Sequence, residues 1–390
     1  MDDTLLEIWR KPARQQPTWA DEAEAQQVRE ELASCRPLVR PADVRTLRSV
    51  LADVAAGTAL VVQSGDCAED PEERTAGDVL RKTALLDLLA GTVKLATGKP
   101  VVRVGRIAGQ FCKPRSQPVE RVGELSLPVY RGHLVNRPEP APASRRHEPR
   151  HMLSGYRAAS EIMARLGWHD GLDRPPFEAV VWTSHEALLL DYEIPMLRRD
   201  AAGELLLSST HWPWIGERTR QVDGAHVALL SKVVNPVACK IGPGVEVDEL
   251  LALCARLDPT RAPGRLTLIA RMGPRAVAER LPMLVAAVRA AGHPVIWLTD
   301  PMHANTVVTP EGLKTRFLQT IAHEIRNFQY AVRAGGGVAG GLHLETTPDD
   351  VTECVADESQ ITQVGNKYTT LCDPRLNPEQ AVLMAALWRG

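Results

Sequence analysis

Apolar residues along this chain gather in eight short runs, and each run ends on a charged, sulfur-bearing or hydroxyl-bearing residue. Run 58–63 leads into Ser64, Asp66 and Cys67, run 100–104 to Arg106, and run 179–182 to Ser184, His185 and Glu186. Run 211–215 leads to Glu217 and Arg218, run 236–239 to Lys240, and run 266–270 to Arg271. Run 295–298 stops at Asp300 and His303, and run 341–344 at Glu345. Runs of this length, bounded by Gly, Pro and polar residues, read as buried strands. Between them the apolar spacing changes to three and four, which predicts helices over 78–97, 151–167, 247–256, 274–291, 314–334 and 379–388. In 314–334, Phe317, Ile321, Ile325, Phe328 and Val332 share one face, and Gly335 offers a C-cap. No ninth strand candidate stands out.

Strands alternating with helices predict a parallel sheet, and eight of them predict closure into a (β/α)8 TIM barrel of the α/β class. Ahead of it, 20–33 has helix-favouring composition, and 42–55 carries Val44, Leu47, Val50, Leu51 and Val54 at helical spacing. The expected organisation is a helical amino-terminal extension over 1–57 and a barrel over 58–390. Residues 113–150, rich in Pro and Arg with little periodicity, read as an irregular excursion over the barrel mouth.

Composition narrows the function. A formal net charge of −2 leaves no broad basic surface for nucleic acid. No apolar stretch reaches the ~18 residues of a membrane span. The polar amino terminus lacks the apolar centre of a signal peptide, so a cytoplasmic protein is expected. Seven cysteines form no CxxC and read mostly as buried thiols. With 9 lysines against 37 arginines, the lysines at Lys113 and Lys240 stand out. Gly335, Gly337 and Gly340 spell a formal GxGxxG, but a helix precedes and a strand follows, the reverse of a dinucleotide site.

Barrel active sites form at the carboxyl ends of the strands. Arg106, Arg218, Lys240 and Arg271, with Lys113 and Arg115 from the excursion, would make a positive pocket suited to phosphate and carboxylate. Any single arginine there is equally explained by a salt bridge to Glu193 or Glu217; the whole set is not. Cys67, His303, Glu345 and Asp373 follow strands one, seven and eight, which are neighbours in a closed barrel. Together they suit a divalent manganese, cobalt or zinc ion, although each alone has an ordinary packing explanation. Cys372 beside Asp373 adds a possible reversible disulfide with Cys67. Trp182, Trp212, Trp214, Trp297 and His343 are expected to pack the core, and His211, which begins its strand, to face the stability side of the barrel.

With these residues on the page, the chain resembles the type II 3-deoxy-D-arabino-heptulosonate 7-phosphate (DAHP) synthases. The segments that carry the resemblance include QSGDCAE (63–69), RIAGQFCKPRS (106–116), TSHEALLLDYE (183–193), WIGERTRQVDGAH (214–226), NPVACKIGP (235–243), DPMHANT (300–306), GGLHLE (340–345) and CDPRLN (372–377). The resemblance implies a metal on Cys67, His303, Glu345 and Asp373. It implies phosphoenolpyruvate held by Arg106, Glu217, Arg218, Lys240 and Arg271, and the sugar phosphate gripped by Lys113, Pro114, Arg115 and Ser116. Arg106, Lys240, His303 and Cys67 would then carry the catalysis. The implied reaction joins phosphoenolpyruvate to erythrose 4-phosphate, opening the shikimate pathway of aromatic biosynthesis.

Ser64, Ala304, His133 and Arg137 depart from the family pattern, and the 133–180 stretch is short. These features resemble the short members of phenazine-type secondary-metabolite pathways. They leave an amino-sugar substrate, or a non-catalytic barrel serving as a regulatory partner, as alternatives. A homo-oligomer, a dimer, is the expected assembly, with a chorismate mutase as a candidate partner.

Overall fold

The eight apolar runs are strands because they are buried on both faces, inside by one another and outside by helices. The computed structural model describes residues 3–168 and 179–389. The strands are β1 (Leu60–Gly65), β2 (Val101–Arg106), β3 (Trp182–Thr183), β4 (Trp214–Ile215), β5 (Val237–Ile241), β6 (Leu266–Ala270), β7 (Ile296–Thr299) and β8 (Val338–Glu345). They form one parallel sheet in the order β3-β2-β1-β8-β7-β6-β5-β4. Its two ends meet. Trp212 N donates to Thr183 O at 3.1 Å, Trp214 N to His185 O at 3.0 Å and Ala187 N to Trp214 O at 3.0 Å, which closes the barrel.

Three helices precede β1: α1 (Asp3–Trp9), α2 (Glu22–Ser34) and α3 (Pro41–Ala55). The later helices are α4 (Ala76–Thr97), α5 (His151–Arg165), α6 (Ala225–Lys232), α7 (Val247–Leu257), α8 (Pro274–Ala290), α9 (Leu318–Ala334) and α10 (Pro378–Ala385). Capping boxes at Thr75/Asp78 and Asn377/Gln380 start α4 and α10. The β3–β4 connection holds only a one-turn helix, Leu190–Glu193, a 3-10 turn and a hairpin. The extension fills the space a crossover helix would occupy. There α2 packs on those turns, and Asp191 accepts from Trp19 Nε1 at 2.7 Å and from Arg29 Nη1 at 2.9 Å.

The structure corrects several local expectations. Besides the barrel strands, the described residues contain three antiparallel hairpins: Val119–Val122 with Leu125–Pro128, Leu197–Arg199 with Leu205–Leu207, and Thr306–Val308 with Lys314–Arg316. The last pairing takes residues 314–316 out of the expected helix, which starts at Leu318. α10 ends at Ala385, short of the expected 388. β8 runs three residues further back than its apolar run, through the glycines. Gly341 is required there: at φ +146° a Cβ would lie 1.9 Å from Val61 O of β1.

Candidate active site

The carboxyl ends of the strands open into a pocket of about 670 Å³, lined by Arg106, Gln110, Lys113, Pro114, Glu186, Trp214, Gly216, Glu217, Arg218, Lys240, Arg271, His303 and Asp373. One side of it is cationic. Lys240 is the penultimate residue of β5, and its Nζ donates to Asp300 Oδ2 at 2.7 Å. Burial pulls this ammonium below an ordinary lysine, more than Asp300 raises it. Arg271, one residue past β6, donates through Nη2 to His303 O at 2.9 Å. Arg218, in the 3-10 turn after β4, donates to Ser116 Oγ at 2.6 Å. The Glu217 carboxylate is bound by Arg220 through two 3.0 Å contacts. An acid so engaged does not attract an anion itself; it anchors the turn that presents Arg218.

Trp214 corrects its assignment to simple packing. Its ring lines the pocket, with the Arg106 guanidinium 5.4 Å and the Lys240 ammonium 5.7 Å from its centroid. The ring face favours both cations where water is excluded. Its place in an apolar run marked Trp214 as buried, but the sequence does not show how close to the mouth it stands.

The other side is built around carboxylates. His303, Glu345 and Asp373 offer ligand atoms that all lie within 4.8 Å of one another. His303 Nδ1 lies 2.7 Å from Asp300 Oδ2, and its Nε2 lies 3.1 Å from Glu345 Oε1. Burial would raise the Asp300 carboxyl, but His303 and Lys240 hold it well below the ordinary range. The side of Nε2 toward Glu345 and Asp373 is thus crowded with potential ligand atoms, an arrangement that a divalent cation would satisfy. One imidazole and two carboxylates suit a divalent transition ion. On this ground the residues fit a metal.

Cys67 lies beside this group rather than within it. Its Sγ accepts from Asp373 N at 3.3 Å and contacts Thr370 Oγ1 at 3.4 Å. Burial raises its thiol, but a hydrogen bond from Cys372 and the Lys113 ammonium bring it down to about 7. Both cysteines are free thiols.

The KPRS segment is divided. Lys113 Nζ bridges Glu345 Oε1 and Asp373 Oδ2, each at 3.1 Å, while also lining the pocket with Pro114. Arg115 contacts Glu120 at 3.4 Å and Cys372 Sγ at 3.6 Å and lines a second cavity with Tyr130, Lys314 and Tyr368. Ser116 faces Arg218. His133, a departure from the family pattern, is bonded to Tyr130 Oη at 2.7 Å and does not line the pocket.

Beneath the pocket a buried polar chain fixes Arg106. Its Nη2 donates to Glu345 Oε1 at 3.0 Å and its Nη1 to His343 Nε2 at 2.9 Å. His343 Nδ1 contacts Gln63 Oε1 at 2.7 Å, and Gln63 donates to Ser184 Oγ at 2.7 Å. Burial, Lys240 and Arg106 keep His343 far below its usual pKa and therefore neutral, an acceptor for Arg106. The expected core position of His343 holds, and it also orients Arg106. Arg316, bound to Glu345 Oε2 at 2.8 Å, was not singled out in the sequence because it lies in a hairpin rather than at a strand end. Glu345 thus faces His303, Lys113, Arg316 and Arg106, which outweigh burial and hold it well below the ordinary carboxylate range.

Buried carboxylates hold the loops. Glu69 accepts from Ala108 N, Gly109 N and Gln110 N at 2.7–3.1 Å, securing Ala108 at a left-handed φ of 66°. Glu324 of α9 accepts from Met272 N (3.1 Å), Gly273 N (2.9 Å) and Asn305 Nδ2 (2.6 Å), joining the loops of Arg271 and His303. Glu353 accepts from Thr369 N and Thr370 N and pairs with Arg375, bracketing Asp373. The Glu186 carboxyl faces the pocket with Oε1 unpartnered, and burial raises its pKa.

The class-II DAHP synthetase family matches residues 4–169 and 167–388. The chain belongs to this family. It is 56% identical over 391 residues to a probable phospho-2-dehydro-3-deoxyheptonate aldolase of Pseudomonas fluorescens, covering 100% of this chain and 98% of that one. It is 38% identical over 430 residues to the phospho-2-dehydro-3-deoxyheptonate aldolase of Mycolicibacterium smegmatis, covering 97% and 92%. The enzyme of that name from Streptomyces coelicolor is also 38% identical, over 428 residues, covering 97% and 95%. Among solved structures, a phospho-2-dehydro-3-deoxyheptonate aldolase from Francisella tularensis superposes with a TM-score of 0.58 at 15% identity, covering 93% of this chain and 94% of that one. That likeness speaks for the fold alone. Among the described residues, no helix of this DAHP synthetase family member is long and apolar enough to cross a membrane.

Proposed function

We propose that this chain condenses phosphoenolpyruvate with erythrose 4-phosphate, giving DAHP and inorganic phosphate. One observation carries the reading beyond family membership: five cationic side chains line a single pocket beside a three-donor cluster at the barrel mouth. Arg218, Lys240 and Arg271 are assigned the phosphate and carboxylate of phosphoenolpyruvate, with Arg106 and Trp214 behind them. Lys113, Pro114, Arg115 and Ser116 are assigned the approach of the sugar phosphate.

His303, Glu345 and Asp373, with Cys67 beside them, would hold a divalent manganese, cobalt or zinc ion. When bound, such an ion supplies Lewis-acid polarisation of the aldehyde carbonyl. The protein's own part is to bind, orient and move protons. The cationic side holds phosphoenolpyruvate so that its enol carbon attacks the aldehyde carbon. The aldehyde oxygen becomes an alkoxide and takes a proton, a role assigned to the Lys240 ammonium. Water adds to the adjacent carbon and loses its proton to the Glu186 carboxylate, the basic form of a carboxyl that burial makes a stronger base than usual. The C–O bond to phosphate then breaks as the hemiketal hydroxyl becomes the ketone and gives its proton to the departing phosphate oxygen, while the arginines hold the phosphate charge. The short 133–180 stretch favours supply of a secondary-metabolite route.

The test is phosphate release from both substrates, before and after chelation and metal readdition. Turnover that chelation abolishes and metal restores supports the reading. A folded protein that releases no phosphate with any of the three ions overturns it.

A further inference from the structure

α4 lies on the outside of the barrel, and its leucines are not confined to the buried face. Its inner positions Val79, Leu85, Leu86, Leu89 and Val93 are buried. Its outer face nevertheless carries Leu80, Leu88 and Leu95, which are 60%, 50% and 90% exposed. Leu383 of α10, the helix packed beside α4, is 52% exposed. A solvated helix face is normally polar, so three exposed leucines beside Leu383 of the neighbouring helix point to a cover on the outer side.

The order of residues on that face identifies the cover. Arg81 and Asp87 stand three residues either side of Ala84, Leu80 and Leu88 four, and Gly77 and Gly91 seven. Steps of three, four and seven all return to one face of a helix. The face is therefore symmetric in size and apolarity about Ala84 and opposite in charge across it. A second α4, antiparallel about a two-fold axis at Ala84, would set Leu80 against the partner's Leu88 and Arg81 against the partner's Asp87. Gly77 would meet the partner's Gly91. A Cβ on Gly91 would meet nothing within 4 Å, so its own chain leaves that space free for a neighbouring helix. Arg81 and Asp87 also pair within the chain, with Asp349 and Arg103, yet both side chains stay half exposed. A parallel pair would set Arg81 against the partner's Arg81. A two-fold contact needs a self-complementary patch, and this face supplies one.

We propose that the outer face of α4 is the two-fold interface of a homodimer, with a second copy of this chain as its partner. The proposal stands apart from the catalytic reading, because none of these residues lines the pocket. Sedimentation velocity of the full chain at micromolar concentration tests it. The wild type is expected to run at twice the 42.7 kDa chain mass. Leu88→Glu is expected to lose the two-chain species while keeping phosphate release and its thermal transition. Arg81→Asp is expected to weaken the dimer, and Arg81→Asp with Asp87→Arg to recover it, a rescue that a folding defect does not produce. A monomeric wild type overturns the proposal. So does an oligomer unaffected by Leu88→Glu and Arg81→Asp, or a double reversal that fails to restore what Arg81→Asp lost.

Discussion

The two sides of the barrel mouth differ in how far the protein satisfies its own charges. On the β7–β8 side, Glu345 faces four cationic or imidazole groups and Asp373 two lysines. On the β4–β6 side, among the described residues, the Arg218 and Arg271 guanidiniums each make one polar contact, and the Lys240 ammonium makes one. The first side is a compact network whose carboxylates stay ionised although buried. The second presents cationic surface for which the protein supplies few anions. Buried charge is tolerated only when paired, so a surplus of one sign in a pocket is an affinity for the other. Asp300 joins the two sides, holding His303 on one and Lys240 on the other.

The largest expected effect breaks the carboxylate side. His303→Ala should reduce metal-dependent phosphate release on the order of 10³-fold, with bound metal measured by elemental analysis falling in parallel. Lys240→Met should lower kcat/KM by about 10²-fold without loss of bound metal, which would separate the two sides. Asp300→Asn tests the link between them. It should cost about 10–100-fold in metal affinity and also raise the KM for phosphoenolpyruvate; a change in only one of these would uncouple the sides. Arg218→Ala should raise that KM about tenfold with little change in kcat, as removal of one charge-assisted contact does.

The smallest effect concerns pH. Burial lifts the Glu324 carboxyl from 4.5 to about 7, so the folded chain binds its proton more tightly than the unfolded chain. Its contribution to stability is therefore full below about pH 4.5 and is lost as pH rises toward 7, by about 1–3 kcal/mol. Denaturant midpoints at pH 5 and pH 8 check this, and Glu324→Gln should flatten the difference.

Much of the site was legible because strand ends and active site coincide in this fold. Arg106, Lys240, Arg271, His303 and Glu345 announce themselves as polar residues that stop apolar runs. Arg316 did not, since nothing in the 306–316 spacing signals a hairpin that turns it back onto Glu345. Glu69, Glu324 and Glu353 were equally hidden. A carboxylate on a helix or loop reads as solvated until the backbone N–H groups that donate to it are located, and those lie 51–52 residues away in the chain for Glu324 and 39–41 for Glu69. Trp214 was read as packing for a similar reason: membership of an apolar run is local, but depth along the barrel depends on strand stagger.

By itself the sequence determined the alternation of strands and helices, the parity of side chains on each strand and the chemical kinds gathered at the mouth. These follow from local periodicity and from the short reach of backbone geometry. Only the tertiary structure decided which charges meet. It set Lys113 between Glu345 and Asp373, turned Arg115 toward a second cavity, left Cys67 at the margin of the His303 cluster, and filled the gap between β3 and β4 with α2. Those outcomes depend on contacts between residues far apart in the chain, whose energies are set by burial and by the full set of neighbouring charges.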